Sequence, residues 1–496
     1  MHLFRILMGA VLLLLLPAAG SAQPGVGEVS FANSGAAAAQ APFLRGLALL
    51  HNFEYFSAAS AFREAQAADP DFVMAYWGEA MTSNHPVWKE QDAAAGRAVL
   101  ARLAPAREER LAKARTARER AYLEAVEILY GDGAKEERDL LYSDRMRRLH
   151  EAHPEDLDGR AFYALSLLGL AHEGRDYALY MRAAGLLEEV FPDNRRHPGV
   201  LHYLIHSYDD PVHAPLGLRA ARLYAAVAPD AGHALHMTTH IFVAMGMWDE
   251  VVAANMNAME VVNRQRAAAG RPPAHCGHYS EWRVYGDYQR RRSAEADAQV
   301  ALCRADALEE LARSPASGPV EPVRSAVRSY ADMAVRRLVE TGEWTGEEGL
   351  ALPEGRYLAA RFTLGYGALL AAGRDLPRVR AARARLREIE ERWAAAASGR
   401  DPGAARRAQI VLMQAEALEQ LAEGGTDAGV ATLRAAARSE GAMPAAFGPP
   451  LVEKPSHELL GDVLLRLGRT EEARQAYRAA TALAPGRRLA TQALGQ

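Results

Sequence analysis

Residues 201–240 read LHYLIHSYDDPVHAPLGLRAARLYAAVAPDAGHALHMTTH, and the spacing of their histidines gives the first expectation about the fold. Two pairs, His202 with His206 and His236 with His240, each enclose three residues. The second pair follows the first at an offset of 34 residues. Residues four apart lie on one face of an α-helix, so each pair shares a face. The offset predicts two stacked helices that bring the pairs side by side.

The sequence on either side repeats a pattern of small, large and proline positions. Near the C-terminus it runs HELLGDVLLRLGRTEEARQAYRAATALAP over residues 457–485. Its recurring positions are Gly461, Leu464, Gly468, Ala473, Tyr477, Ala480 and Pro485. Near the N-terminus the matching positions are Gly46, Tyr55, Ala58, Phe62, Ala65 and Pro70. Between these copies the pattern is degenerate, but its apolar periodicity indicates further helices.

This pattern resembles the tetratricopeptide repeat (TPR) family, in which helix–turn–helix units of 34 residues stack on one another. The resemblance implies an all-α solenoid, curved or ring-like, of the exported bacterial type. We predict N-terminal repeats over residues 41–312, including the histidine-rich pair, and C-terminal repeats over residues 313–496. The best-matched repeat spans residues 456–488. No alternating pattern typical of strands persists along the chain.

Residues 1–22 have the pattern of a secretory signal peptide. A short basic start precedes the apolar stretch Ile6–Leu16, and small residues end at Ala22, where we expect cleavage. The apolar stretch is too short to cross a bilayer. We therefore expect a periplasmic or secreted protein without membrane insertion after cleavage. Residues 23–40 are small and polar, which predicts a flexible lead-in.

Composition argues against several classes of function. The net charge of −4 over 496 residues gives no dominant sign, so we expect no nucleic-acid partner. Hydrophobic residues make up 49% of the chain, enough for a continuous core. The chain has no HExxH, paired CxxC, EF-hand or phosphate-loop motif. We assign no catalytic residue, and the sequence favours a binding protein over an enzyme.

The two cysteines, Cys276 and Cys303, fall near the meeting ends of two predicted helices. Export would permit a disulfide between them, and two buried free thiols are the alternative. The run His275-Cys276-Gly277-His278 also resembles a thiol beside imidazoles. Adjacent residues on a helix do not face each other, which disfavours a catalytic thiol. We therefore favour a disulfide at Cys276, or metal binding by His278, over a catalytic thiol.

Three interpretations of the repeated histidines stay open. In the first they are structural and bond to backbone and hydroxyl groups. In the second, which we favour, they line a groove that binds a protein or peptide partner. The TPR resemblance implies this, because these helix positions usually face the concave surface in that family. The predicted groove residues are His202, His206, His233, His236, His240, Asp209 and Asp210.

The third interpretation is a transition-metal site for a carrier or a hydrolase. Neutral imidazole suits zinc and copper. The predicted metal ligands are His202, His206, His236 and His240. Asp210 or His213 could complete a tetrahedral shell.

Overall fold

The computed structural model describes residues 21–495, apart from residues 24, 314–319, 321, 323, 347–349, 397–401 and 446. Most of the predicted signal peptide lies outside the described residues. Within them, no helix is both long and apolar enough to cross a membrane.

The described part of the chain forms 23 α-helices, and nearly all consecutive helices pack against each other as hairpins. The first twelve are α1 (Ala37–His51), α2 (Tyr55–Ala68), α3 (Val73–Met81), α4 (Ala93–Leu103), α5 (Arg107–Ala112), α6 (Ala117–Leu129), α7 (Lys135–Ala152), α8 (Leu157–Gly169), α9 (Tyr177–Glu188), α10 (Pro198–Tyr208), α11 (Ala214–Val227) and α12 (Gly232–Ala244). The others are α13 (Trp248–Ala268), α14 (His278–Gln289), α15 (Ser293–Arg313), α16 (Ala326–Thr341), α17 (Leu358–Ala372), α18 (Leu376–Ala396), α19 (Pro402–Ala422), α20 (Thr426–Gly441), α21 (Ser456–Arg466), α22 (Thr470–Leu483) and α23 (Arg488–Leu494).

Strands are few and short in the part of the chain that the structure describes. They are β1 (Ser21–Gln23) paired with β2 (Gly27–Val29), and β3 (Asn84–His85) paired with β4 (Glu90–Gln91), both antiparallel. A 3-10 turn, Pro86–Trp88, separates β3 from β4. The prediction of an all-α, TPR-like solenoid is confirmed.

Small residues at the predicted repeat positions let paired helices approach closely. A Cβ atom on Gly461 of α21 would lie 2.6 Å from the ring of Tyr477 on α22. The first hairpin has the same contact, with Gly46 of α1 against Phe62 of α2 at 2.9 Å. Both distances are too short for a methyl group. The glycines therefore account for the tight crossing of the two helices.

The array curls so that its first helix meets its tenth. Helix α1 contacts both α3 and α10, and α10 also contacts α8 and α12. Farther along, the chain end folds back, and the indole Nε1 of Trp248 donates to the Gly486 carbonyl at 3.0 Å. The curvature places α1, α10, α12 and α14 around one region of the interior.

The buried apolar residues form several separate clusters. The largest extends from Val26 to Trp282, and a second from Val335 to Leu494. A third includes Val284, Cys303 and Leu364. This third part crosses the boundary predicted between residues 312 and 313, so helices on the two sides share a core.

The N-terminal lead-in differs from the flexible segment predicted for residues 23–40. Phe31 is buried, and its ring lies 5.4 Å from that of Phe43 and 5.3 Å from that of Tyr122. The Glu28 amide donates to the Arg196 carbonyl at 2.9 Å. The sequence prediction weighed the small polar residues and missed this one aromatic anchor, whose burial holds the segment on the helices.

Candidate functional site

Helix α10 owes its register to two signals at its start. Pro198 occupies the first turn, where its fixed φ suits a helix and its missing N–H costs nothing. The His197 side chain caps the helix by accepting from the Val200 amide at 3.3 Å. With the start fixed there, His202 and His206 project from the same face toward α12.

Helices α12 and α14 supply the other histidines. Helix α12 packs against α10 and carries His233, His236 and His240. Helix α14 begins at His278. The residue before it, Gly277, has a φ of +112°, which glycine adopts without steric cost.

The two predicted pairs converge in the interior. The ring centroids of His202 and His206 are 4.9 Å apart, and those of His236 and His240 are 5.2 Å apart. Between the helices, His206 and His240 lie 5.6 Å apart. The one-repeat offset thus brings the imidazoles together.

Two further rings extend the group. His233 lies 5.2 Å from His202 and 6.2 Å from His236. His278 lies 4.5 Å from His236. We call the whole group the histidine cluster. Its members are His202, His206, His233, His236, His240 and His278. Sequence reasoning considered His278 as a metal ligand but did not place it with the others.

Hydrogen bonds from Nδ1 fix the orientation of two rings on different helices. His202 Nδ1 donates to the His51 carbonyl at 2.6 Å. His236 Nδ1 donates to Asn255 Oδ1 at 2.8 Å, and the Asn255 amide nitrogen donates to the Val251 carbonyl at 2.9 Å. Because Nδ1 carries the proton in both rings, Nε2 presents a lone pair.

Asp209 orients the other two rings of the predicted pairs. Its Oδ2 accepts from His206 Nδ1 at 3.3 Å and from His240 Nδ1 at 3.0 Å. Arg175 pairs with the same carboxylate. Burial alone would raise the pKa of Asp209, but the charge of Arg175 and the imidazole hydrogen bonds outweigh burial and hold that pKa far below its usual range. Asp209 is therefore an ionised acceptor.

The cluster contains buried imidazole nitrogens without a hydrogen-bond partner among the described residues. Four of them, on His202, His206, His233 and His236, are buried and receive no hydrogen bond from any described residue. Buried polar atoms are paired in the great majority of cases. Three of these four rings use Nδ1 as the donor, so the unpaired atoms are lone pairs and not N–H groups.

The electrostatics favour the neutral form of the four imidazoles that have an unpaired Nε2 atom. Burial lowers the pKa of His202, His233 and His236 well below the usual value, and neighbouring histidines lower it further. Burial also lowers the pKa of His206, against the opposing effect of Asp209. A neutral imidazole with a free Nε2 lone pair is the form that binds a metal ion.

Asp210 and His213 lie beside the cluster without joining it. His213 Nδ1 donates to Asp210 Oδ2 at 2.9 Å, and the Val212 amide donates to Asp210 Oδ1 at 2.9 Å. Asp210 thus shapes the turn after α10. Of the two predicted acidic groove residues, the structure brings only Asp209 into contact with the cluster.

Aromatic rings surround the imidazoles. The Trp282 ring lies 4.7 Å from His236 and 4.8 Å from His240. Phe53 lies 4.3 Å from His202. These rings exclude water from most of the cluster. His240 alone among its members also lines a mainly apolar cavity of about 210 Å³, whose walls include Val243, Trp248, Tyr285, Met443 and His457.

A disulfide lies next to the cluster. The sulfur atoms of Cys276 and Cys303 are 2.06 Å apart, and both cysteines are bonded. The bond ties the segment before α14 to the middle of α15. Cys276, its first cysteine, lies two residues before His278. With both cysteines oxidised, neither supplies a thiolate to a metal or to catalysis.

A second buried group, His51, Asp158 and His197, forms a contrast. His51 Nε2 donates to Asp158 Oδ1 at 2.9 Å, and His51 Nδ1 accepts from the Tyr203 hydroxyl at 2.9 Å. His197 Nε2 donates to the same carboxylate at 3.3 Å and its Nδ1 caps α10. Every ring nitrogen of the two histidines has a partner, so this group is structural.

Comparison with known proteins supports one repeat directly. The sequence model of the tetratricopeptide repeat family matches residues 455–487. No curated protein matches the chain. Similar solved structures include the APC/C heterotetramer Cut9–Hcn1, with 12% identity, 92% of this chain and 75% of that chain covered, and a TM-score of 0.33.

Two further solved structures are similar at the same identity of 12%. A monomeric IFIT1 mutant with Gppp-AAAA has a TM-score of 0.30, with 90% of each chain covered. The TPR domain of P58(IPK) has a TM-score of 0.22, with 92% of this chain and 96% of that chain covered. The family model itself supports one TPR at residues 455–487, and the described helices form a repeat array, an architecture that presents extended surfaces to partners.

Proposed function

We propose that this protein binds a transition-metal ion, zinc or copper, through the histidine cluster at the centre of a helical-repeat scaffold. The observation that carries the proposal is the set of four buried Nε2 atoms that receive no hydrogen bond from the described part of the chain. Leaving each such acceptor unpaired costs about 1–3 kcal/mol. A metal ion would satisfy several of them at once.

The surroundings support the same conclusion. Metal-bound histidines usually donate their other N–H to a carboxylate, carbonyl or amide oxygen, which fixes the ring. His202, His206, His236 and His240 all do so, toward a backbone carbonyl, Asp209 and Asn255. Because both cysteines are oxidised, imidazole is the main ligand type, and it suits zinc or copper.

The groove hypothesis, in which these residues contact a protein partner, receives less support. His202, His236 and Asp210 are fully buried, and His206 and Asp209 nearly so. A partner could not reach them without unpacking α10 and α12. The scaffold itself remains suited to protein interactions, and a partner surface elsewhere on the array is compatible with a buried metal.

We also propose that the chain works outside the cytoplasm. The predicted signal peptide and the Cys276–Cys303 bond support this, because disulfides persist in oxidising compartments. Titration of thiols in denatured protein isolated from the native compartment should find no free thiol. Two free thiols would contradict the location.

The metal proposal is tested on protein purified without a histidine tag. We expect a bound ion that elemental analysis detects and that a chelator removes. Re-addition of zinc should raise the melting temperature, since a ligand at 100 times its Kd stabilises a fold by about 2.7 kcal/mol. The double variant His206→Ala/His240→Ala should bind no stoichiometric ion and show no shift.

The matched control is His153→Ala. His153 lies outside the cluster, is partly exposed and faces Glu155 at 3.5 Å. Circular dichroism should show that the control and the double variant keep the helical fold. The proposal would be overturned if the purified wild-type protein contained no metal and its melting temperature did not change on adding zinc or copper.

A further inference from the structure

Building on the proposed metal function, we infer that the histidine cluster holds two metal ions, each bound by three imidazoles. The first triad is His202, His206 and His233, and the second is His236, His240 and His278. The inference deepens the proposal by giving the number of ions, their ligand sets and an open coordination position at each.

Distances divide the cluster in this way. Within each triad, one potential ligand nitrogen from every ring lies within 4.8 Å of the other two. His206 and His240, one from each triad, also lie within that distance of each other and of Asp209. Three nitrogens bound to one zinc ion at about 2.0–2.1 Å stand about 3.3 Å apart in a tetrahedral shell, so modest ring rotations would close each triad.

The repeat architecture explains why there are two triads. Each triad combines a pair spaced by four residues on one helix with a histidine from the first turn of the next inner helix. Helix α10 supplies His202 and His206, and α12 adds His233. Helix α12 then supplies His236 and His240, and α14 adds His278. The same three-ligand device occurs twice, one repeat apart.

Asp209 couples the two triads. Its Oδ2 accepts from His206 of the first triad and from His240 of the second. Arg175 holds this carboxylate in place and balances its charge. One residue thus orients a ligand of each ion, and two adjacent cations would lie close to an ionised carboxylate.

Three imidazoles leave one position of a tetrahedral ion free, as in sites that bind water or a substrate. The two triads differ in their access to such a ligand. Two ligands of each triad are buried, but the third is half-buried in the first triad (His233) and exposed in the second (His278), and His240 of the second also lines the apolar cavity. The second ion should therefore exchange faster and receive the external ligand.

The experiment counts ions in the full-length, tag-free chain. After chelation and dialysis, titration with Zn²⁺ should end at two equivalents per chain by elemental analysis. Subsequent treatment with a chelator should release one equivalent quickly and the other slowly. His278→Gln should retain one equivalent and lose the fast phase, and His233→Gln should retain one and lose the slow phase.

His153→Gln is the matched control and should keep both equivalents and both phases. Titration of the wild type with Co²⁺, followed by the visible absorption of the bound ion, counts the ions without any variant. This count therefore holds even if a variant misfolds. One equivalent in the wild type, lost in both cluster variants, would overturn the two-ion inference but leave the metal function standing. No bound ion in the wild type would overturn both.

Discussion

Two buried polar groups in this molecule differ in how completely the chain supplies their hydrogen-bond partners. Around Arg487, Glu458 accepts at 2.6 and 3.0 Å, Glu340 accepts at 3.1 Å, and Lys454 pairs with Glu458 at 2.7 Å. Each charge there meets its opposite. The histidine cluster instead holds four buried Nε2 atoms that receive no hydrogen bond from the described residues.

The difference separates a structural role from a binding role. A polar group that serves only the fold is completed by the chain itself, because an unpaired buried atom lowers the stability. In a ligand-binding group, the unpaired atoms lower the stability of the unliganded state until the ligand binds. The predictions below test whether the two groups behave differently, beginning with the largest expected effect.

Mild acid should destabilise the protein through the histidines and leave the Arg487 group intact. Burial lowers the pKa of His51 to about 4, and that of His202, His233 and His236 well below 6.5. The folded state thus binds fewer protons than the unfolded state below pH 6.5, so this stability is present above that value and lost as pH falls. Glu458, with a pKa lowered to about 2, stays ionised.

The expected loss for chelator-treated protein is about 1.4 kcal/mol per histidine at pH 5.5, or about 5.6 kcal/mol for the four. Urea denaturation at pH 5.5 and 7.5 measures it. Equal stability at the two pH values would show that the rings are not held neutral.

Glu458→Gln should destabilise the fold by about 3 kcal/mol, because breaking a buried ion pair leaves Arg487 and Lys454 undercompensated. The number of bound zinc ions should not change. Denaturant unfolding and elemental analysis give the two readouts. A variant that loses metal while keeping its stability would contradict the division between the groups.

Asp209→Asn should weaken metal binding about 10- to 100-fold while all six imidazoles remain in place. The amide removes the negative charge that accepts from both His206 and His240. Competition with a coloured zinc chelator measures the affinity. Asp306→Asn, which alters the Asp306–His275 contact outside the cluster, is the control and should bind like the wild type.

His233→Leu should make the metal-free protein more stable by about 1 kcal/mol and remove one bound ion. The leucine deletes an unpaired buried Nε2 and packs against Phe53 and Trp88, whose rings lie 5.6 Å from that of His233. Thermal melts of chelator-treated samples test whether the substitution raises or lowers the stability of the metal-free protein. A clear loss of stability would mean that the Nε2 atom already has a partner.

The sequence was sufficient to predict the repeats and the convergence of α10 with α12. The offset of 34 residues depends only on how neighbouring repeats stack, and it can be read directly from the sequence. It missed His278 as a cluster member, since the 21-residue α13 is long and breaks that offset. Arg175 carried an unused signal, because it precedes Asp209 by one repeat length of 34 residues.

Other parts of the site depend on geometry that no local pattern encodes. Asp209 and Asp210 are neighbours, yet the turn that ends α10 sends one to the cluster and the other to His213. The contact of the His51 carbonyl with His202 arises from the curvature that brings α1 to α10. Curvature sums small rotations over many helices, so it cannot be deduced from any single repeat.

The meeting of α1 with α10 has a consequence for how this chain can evolve. Repeat arrays commonly gain or lose whole units, since each unit contacts only its neighbours. Here a unit inserted or deleted between α1 and α10 would carry His51 away from His202 and strip that imidazole of its acceptor. The copy number of the leading hairpins is therefore fixed, and the contact of Trp248 with Gly486 places the same limit on the hairpins between α13 and α23.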